Sequence, residues 1–161
     1  MLLWCVGVGI VFVWNVFRSP ALDYRLVALG SVLPLVEVSL GGPRLLHTLV
    51  FSVALLVAIM LATRHRRLLR RRLISLPIGL FIGLVLDGSW SSKEVFWWPF
   101  YGWTFPSSGL PELHRSAGLV LVLEVIGAAA LVWCWHAFGW SDRDNRRLFW
   151  RTGHLNRELL R

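Results

Sequence analysis

The stretch LLHTLVFSVALLVAIMLATRHRRLLRRRLISLPIGLFIGLVLD, residues 45–87, decides how this chain is laid out. An apolar run from Leu45 to Thr63 meets the arginine-rich segment Arg64 to Arg72, and a second apolar run, Leu73 to Asp87, follows at once. The first run is long enough to cross a hydrocarbon core roughly 30 Å thick. Arginines between two such runs mark the side of a membrane on which the chain turns back. Outward from this hairpin, Ala117 to Phe138 is another full-length apolar run. Leu2 to Phe17 reads as an uncleaved span, because no basic residue precedes it and no small-x-small cleavage site follows it. Leu26 to Leu40 contains Pro34 and Glu37 and is followed by Gly41, Gly42 and Pro43. It reads either as a short broken span or as a re-entrant segment.

Composition points the same way. Of 161 residues 56% are hydrophobic, ten are Trp, and 16% are charged, against about 25% in soluble domains. The expected fold is all-α, a multi-pass transmembrane bundle of four to five segments. Residues 1–140 form one helical domain (2–17, 26–40, 45–63, 73–87 and 117–138), and 141–161 form a basic cytoplasmic tail. The net charge of +8 arises from sixteen Arg and Lys93 against nine acids. These arginines flank apolar runs, where topology and anionic inner-leaflet lipid account for them, and no nucleic-acid recognition motif accompanies them. With Met1 outside and the C-terminus cytoplasmic, fourteen of the seventeen basic residues fall inside, leaving Arg44, Lys93 and Arg115 outside. Cys5 and Cys134 then lie near opposite faces, about 25 Å apart, too far for a disulfide.

The segment Gly88 to Arg115 is the long extracytoplasmic loop. It carries Trp90, Phe96, Trp97, Trp98, Phe100, Tyr101, Trp103 and Phe105, rings that belong at headgroup level. One reading is an interfacial belt; the other is an aromatic lid over a lipid or acyl-chain pocket, with Trp90, Trp97, Trp98, Tyr101 and Trp103 as contact residues. Pro99, Pro106 and Pro111 argue against a continuous helix there. In the tail, Leu148, Leu155 and Leu159 fall on one helical stripe with Arg147, Arg151 and Arg157 off it, the pattern of a helix lying on an anionic leaflet or docking a partner. The run Arg64 to Arg72 reads as a topogenic loop. Gly79 and Gly83 have the small-xxx-small spacing that allows close helix contact, including contact between copies.

Ionisable groups inside apolar segments are costly unless paired or solvated, and Glu37, His47, Asp87 and Glu124 stand out. In the topology above, the first three end up at the outer ends of three different segments, with Glu124 one and a half to two turns deeper. A carboxylate, imidazole, carboxylate set suits a divalent ion, zinc or manganese, or a general acid/base pair. Structural alternatives are a His47 hydrogen bond to a carbonyl, Asp87 capping the loop, and Glu37 pairing with Arg44.

Three blocks carry a family resemblance: Leu22-Asp23-Tyr24-Arg25-Leu26-Val27-Ala28-Leu29-Gly30-Ser31-Val32-Leu33-Pro34, then Arg44-Leu45-Leu46-His47-Thr48, and then Leu76-Pro77-Ile78-Gly79 through Leu86-Asp87-Gly88-Ser89-Trp90 to Phe96-Trp97-Trp98-Pro99-Phe100. From about Asp23 to Pro111 the chain resembles the YdjM-type family of bacterial membrane-bound metal-dependent hydrolases, actinobacterial-like members above all. The resemblance implies a metal site to which His47 and Asp87 belong, with Glu37 as the substitute for the family's acid two positions earlier. It also shows departures: Leu35, Pro43 and Gly83 occupy positions where the family has an acid, a histidine and a histidine. Two functions follow as expectations. One is a non-catalytic accessory subunit or lipid-handling scaffold of a larger inner-membrane complex, without a cofactor. The other is a metal-dependent hydrolase of lipid head-group esters or phosphoesters at the outer leaflet. A transporter fits less well, since no internal repeat is visible.

Overall fold

The computed structural model describes residues 1–39, 45–100 and 115–156. Its elements are helical throughout, with no strand among the described residues: α1 (Leu2–Phe17), α2 (Tyr24–Ser39), α3 (Leu49–Ala62), α4 (Arg67–Leu73), α5 (Ser75–Leu86), α6 (Lys93–Phe96), α7 (Ala117–Ala137) and α8 (Arg143–Thr152), plus single 3₁₀ turns at Leu45–His47 and Ser89–Ser91. Local chemistry sets several of these boundaries. Thr48 caps α3 by accepting from the Phe51 amide at 3.1 Å, and Ser116 caps α7 by accepting from Leu119. At its C-terminus α8 stops at Gly153, whose φ of 75° only glycine adopts without strain.

Among the described residues, α7 is the one helix long and apolar enough to cross a membrane. It is no core helix: only 11% of its most apolar window is buried, and Leu121, Val122, Val125 and Val132 face outward. Shorter apolar helices are α1 and α3.

Glycines set the packing. The helices α2 and α5 run parallel at a constant offset, read from the 52-residue separation of Asp23 and Ser75, whose amide and hydroxyl are bonded at 3.0 Å. Val27 lies against Gly79 and Ser31 against Gly83 at the same offset; a Cβ on Gly79 would strike the Val27 carbonyl, and one on Gly83 would come within 2.6 Å of the Ser31 carbonyl oxygen. Likewise Gly7 of α1 abuts Gly127 of α7. The small-xxx-small pair therefore serves a contact inside the chain. Around these seams α1 packs on α7, α2 and α5, while α3 reaches the bundle chiefly through α5 and buries only Ser52.

The bundle has two distinct ends. At the basic end lie Arg18, Arg25, α4, and the segment from Trp140 to Asn156. This end holds the core: Ile10, Val13, Tyr24, Val27, Ile82, Cys134, Phe138, Phe149 and Leu155 pack together. Its rings stack in a chain, Trp14 on Phe138 (5.2 Å between centroids), Phe138 on Trp140 (5.6 Å) and Trp140 on Phe149 (4.5 Å). At the loop end lie Glu37, His47, Asp87 and the residues that follow.

Three sequence expectations are corrected here. The described part of Leu26 to Leu40 is not broken: α2, Tyr24–Ser39, runs without interruption through Pro34 for about 24 Å, held by its seam with α5. The run Arg64 to Arg72, expected as a loop, is in large part helical: Arg67–Leu73 is α4, which meets α5 through Ile74 in helical conformation. The stripe of Leu148 and Leu155 does not exist, because the helix ends at Thr152 and Leu155 turns into the core, its amide on the Pro20 carbonyl at 3.1 Å. Leu159 and Arg157 lie outside the described residues.

The seam makes a direct prediction. Gly79→Val should destabilise the protein by about 1–3 kcal/mol through overpacking, whereas Gly118→Ala, with nothing within 4 Å of the added methyl, should be neutral or slightly stabilising. Thermal midpoints of the two variants in detergent check this; equal midpoints would remove the seam from the account.

Candidate functional site

Glu37 and His47 come together at the loop end. Glu37 lies in the last turn of α2, and its Oε2 lies 2.9 Å from His47 Nδ1 while Oε1 accepts the Leu46 amide at 3.2 Å. His47 is fully buried and Glu37 nearly so. With a carboxylate against it, Nδ1 is the protonated nitrogen, so Glu37 fixes both the ring's orientation and its tautomer. The pair also fastens the end of α2 to the turn that enters α3, and the Thr48 hydroxyl, bonded to the Leu45 carbonyl at 2.8 Å, tightens that turn.

The other two acids serve other neighbours. Asp87, fully buried at the end of α5, accepts from the Cys5 thiol of α1 at 3.2 Å, and its backbone carbonyl takes a 2.7 Å hydrogen bond from the Arg115 guanidinium. Beside it, the Trp4 indole donates to the Leu86 carbonyl at 3.2 Å. Glu124 accepts the Leu3 amide at 2.9 Å and pairs with the Met1 amino group. Among the described residues no group of three His, Cys, Asp or Glu side chains is placed to hold a metal ion. Of the four sequence candidates the structure thus joins Glu37 to His47, puts Asp87 on Cys5, and puts Glu124 on the first turn of α1. Arg44 lies outside the described residues, and Glu37 has His47 as its partner.

The aromatic loop divides in the same way. Val95 and Phe96 are buried, Trp98 is half-buried, and Trp90, Trp97 and Phe100 are exposed, Phe100 by 78%. Tyr101 and Trp103 lie outside the described residues. Trp97 and Phe100 lean toward α3 and, with Val50, Val53, Val57 and Leu61, line an apolar groove of about 590 Å³. Along an adjoining face of α3, sharing Leu49 and Val53 with the first, a second apolar groove of about 360 Å³ runs between Phe12, Phe17, Leu56, Pro77 and Phe81. One helix is thus flanked by two hydrocarbon-lined clefts, one of them roofed by rings.

The most heavily bonded acid among the described residues is Asp23, which the sequence analysis does not single out. Asp23, fully buried at the start of α2, accepts from the Arg25 and Leu26 amides, from the Arg25 guanidinium at 3.2 Å, and from Arg72 Nε at 2.9 Å. Arg25 in turn donates to the Trp150 carbonyl at 2.6 Å, and the Tyr24 amide donates to the Gly153 carbonyl at 2.9 Å. Gly153 lies so close to the carboxylate that a Cβ there would overlap it. Burial by itself raises the Asp23 carboxyl, but the hydrogen bonds and charge of Arg25, with Arg72, outweigh it and hold the group below the ordinary carboxylate range. An Asp directly before an apolar helical run is an N-cap signal that a reader could have used; nothing local announces Arg72 or Gly153.

Compared with known proteins, the chain matches no family model, no curated protein and no solved structure.

A depressed carboxyl contributes stability that is complete above its unfolded value near 3.9 and lost as pH falls through the lower folded value. Stability of the wild type should therefore be flat in this term from about pH 5 to 8 and decline below pH 4. Asp23→Asn, which keeps the shape but leaves two arginines without their acid, should cost about 1–3 kcal/mol at pH 7 and flatten the acid limb. Thermal melts of both proteins across that pH range measure it.

Proposed function

We propose that this chain is a multi-pass helical protein of the bacterial inner membrane, a non-catalytic lipid-handling scaffold and accessory subunit of a larger membrane complex. The observation that carries the reading is α3 with its two apolar grooves, one covered by Trp97 and Phe100. A water-soluble bundle would bury such surface; in a bilayer it is a seat for acyl chains or a neighbouring helix. The exposed apolar face of α7 supports the same environment. So does the concentration of arginines at one end, which by the positive-inside rule is the cytoplasmic end. Helices such as α1 and α3, shorter than the usual span, are accommodated by thinning of the bilayer and by flanking Trp and Arg. The carboxylates favour a scaffold over an enzyme, because each holds a joint between helices.

Exchanging Trp97 and Phe100 together for Ala should reduce the phospholipid that co-purifies with the protein while leaving its thermal midpoint close to wild type, since both side chains are already exposed. Quantitative lipid extraction and mass spectrometry of the purified pair decide this, and unchanged lipid would remove the groove from the proposal.

One observation favours the hydrolase of the sequence resemblance as a second reading. A carboxylate on Nδ1 is the arrangement that orients a metal-binding histidine, and Glu37 and His47 have it. The two readings part on one sample, protein purified gently from native membranes without chelator. A scaffold yields a constant partner polypeptide and no metal dependence on His47. A hydrolase yields about one equivalent of zinc or manganese that His47→Ala abolishes.

A further inference from the structure

At the basic end a cavity of about 750 Å³ opens between α4, the turn joining α1 to α2, and the segment that follows α8. Its walls differ in chemistry. Leu68, Leu155 and Pro20 supply hydrocarbon, and Arg71, Arg72 and His154 supply the polar rim. Arg72 spends its Nε on Asp23, yet half of its side chain remains exposed. Arg71 is exposed and makes no hydrogen bond to any of the described residues. Leu68 is 84% exposed on a helix otherwise crowded with arginine, which places an apolar side chain and guanidinium groups together at the mouth.

We infer that this cavity is a binding site for one anionic phospholipid of the inner leaflet, the phosphate held by Arg71 and Arg72 and the glycerol and first acyl carbons lying on Leu68 and Leu148. The inference rests on reading the basic end as the cytoplasmic end. Two guanidinium groups match a phosphodiester in charge and fork geometry, and basic pockets at the cytoplasmic ends of helices are where such head groups dock. A free anion would be served by the arginines alone; the leucine wall is what calls for a lipid. Asp23 does not oppose the phosphate, because it is fully buried and carries Arg25 and Arg72 between itself and the rim. The site also explains why α4 and the residues after α8 meet here: lipid would bridge two segments whose direct joint is Asp23.

Diffuse attraction of an arginine-rich surface to anionic lipid is the competing explanation, and a charge-matched pair of variants separates them. Arg71→Gln removes a rim residue, while Arg67→Gln removes the same charge from the same helix outside the cavity. Full-length protein is melted in neutral detergent with added phosphatidylglycerol, phosphatidylcholine, or sn-glycerol 3-phosphate. Phosphatidylglycerol is expected to raise the wild-type midpoint by about 5 °C over phosphatidylcholine, Arg67→Gln to keep that rise, and Arg71→Gln to lose most of it with an unchanged midpoint in phosphatidylcholine. Equal losses in both variants, or none in either, would overturn the site. An equal rise from sn-glycerol 3-phosphate overturns the lipid in favour of a small anion. Carbonate washing of membranes from the same cells reports insertion separately. A protein that stays in the membrane but ignores phosphatidylglycerol sinks this site alone, and one that washes out sinks the membrane reading with it.

Discussion

The close seam between α2 and α5 is the constraint on which the rest of the molecule depends. Two parallel helices approach until backbone meets backbone, with Gly79 on Val27 and Gly83 on Ser31, and the Asp23 amide bonded to Ser75 pins the register. In lipid, where apolar side chains gain nothing by leaving their surroundings, such contact is what holds helices together. Every other joint is hung on this pair: α1 lies against it and carries α7, and α3 is attached at its edge through α5. The register also decides which charged groups meet, since it brings Arg72 to Asp23 at one end and leaves Asp87 to Cys5 at the other.

Polar groups in this chain act as fasteners. Glu37 with His47 closes the turn into α3, Asp87 ties the end of α5 to α1, Arg115 holds the approach to α7 on the Asp87 carbonyl, and Asp23 gathers α2, α4 and the residues after α8. A buried acid that has lost one neighbour is far more costly than the pair is favourable, so each joint resists piecemeal change. Among the described residues, side chains not committed to such joints include those lining the apolar clefts beside α3 and the rim of the basic cavity.

The helical character of the chain and the bounds of its first and last long helices were readable because apolar runs are local signals. The run Leu2 to Phe17 coincides with α1, and Ala117 to Phe138 with α7 to within a residue. The meeting of Glu37 and His47 was readable too, since only ten residues separate them in the chain; the expected convergence of Asp87 with them was not met. What could not be read was partnership across distance. Spacing alone puts Gly79 and Gly83 on one face but does not say that Val27 and Ser31 cover it, and it puts Asp87 at a helix end without saying that Cys5 is there. Some signals were present and not used: Asp23 before an apolar run announces an N-cap, and Gly153 after Thr152 announces the end of the helix on which a leucine stripe to Leu155 had been drawn.

The joint at Asp23 has a consequence for the order in which the molecule is made. Arg25 and the α2 amides are available to it at once, Arg72 and Ser75 arrive about 50 residues later, and Gly153 with Leu155 about 130 residues later. Until then the cluster around Tyr24 and Phe138 lacks Phe149 and Leu155, which belong to it in the finished fold. The basic end of the core therefore cannot close before residues 149–155 have been synthesised, which places its completion at the end of the chain's production.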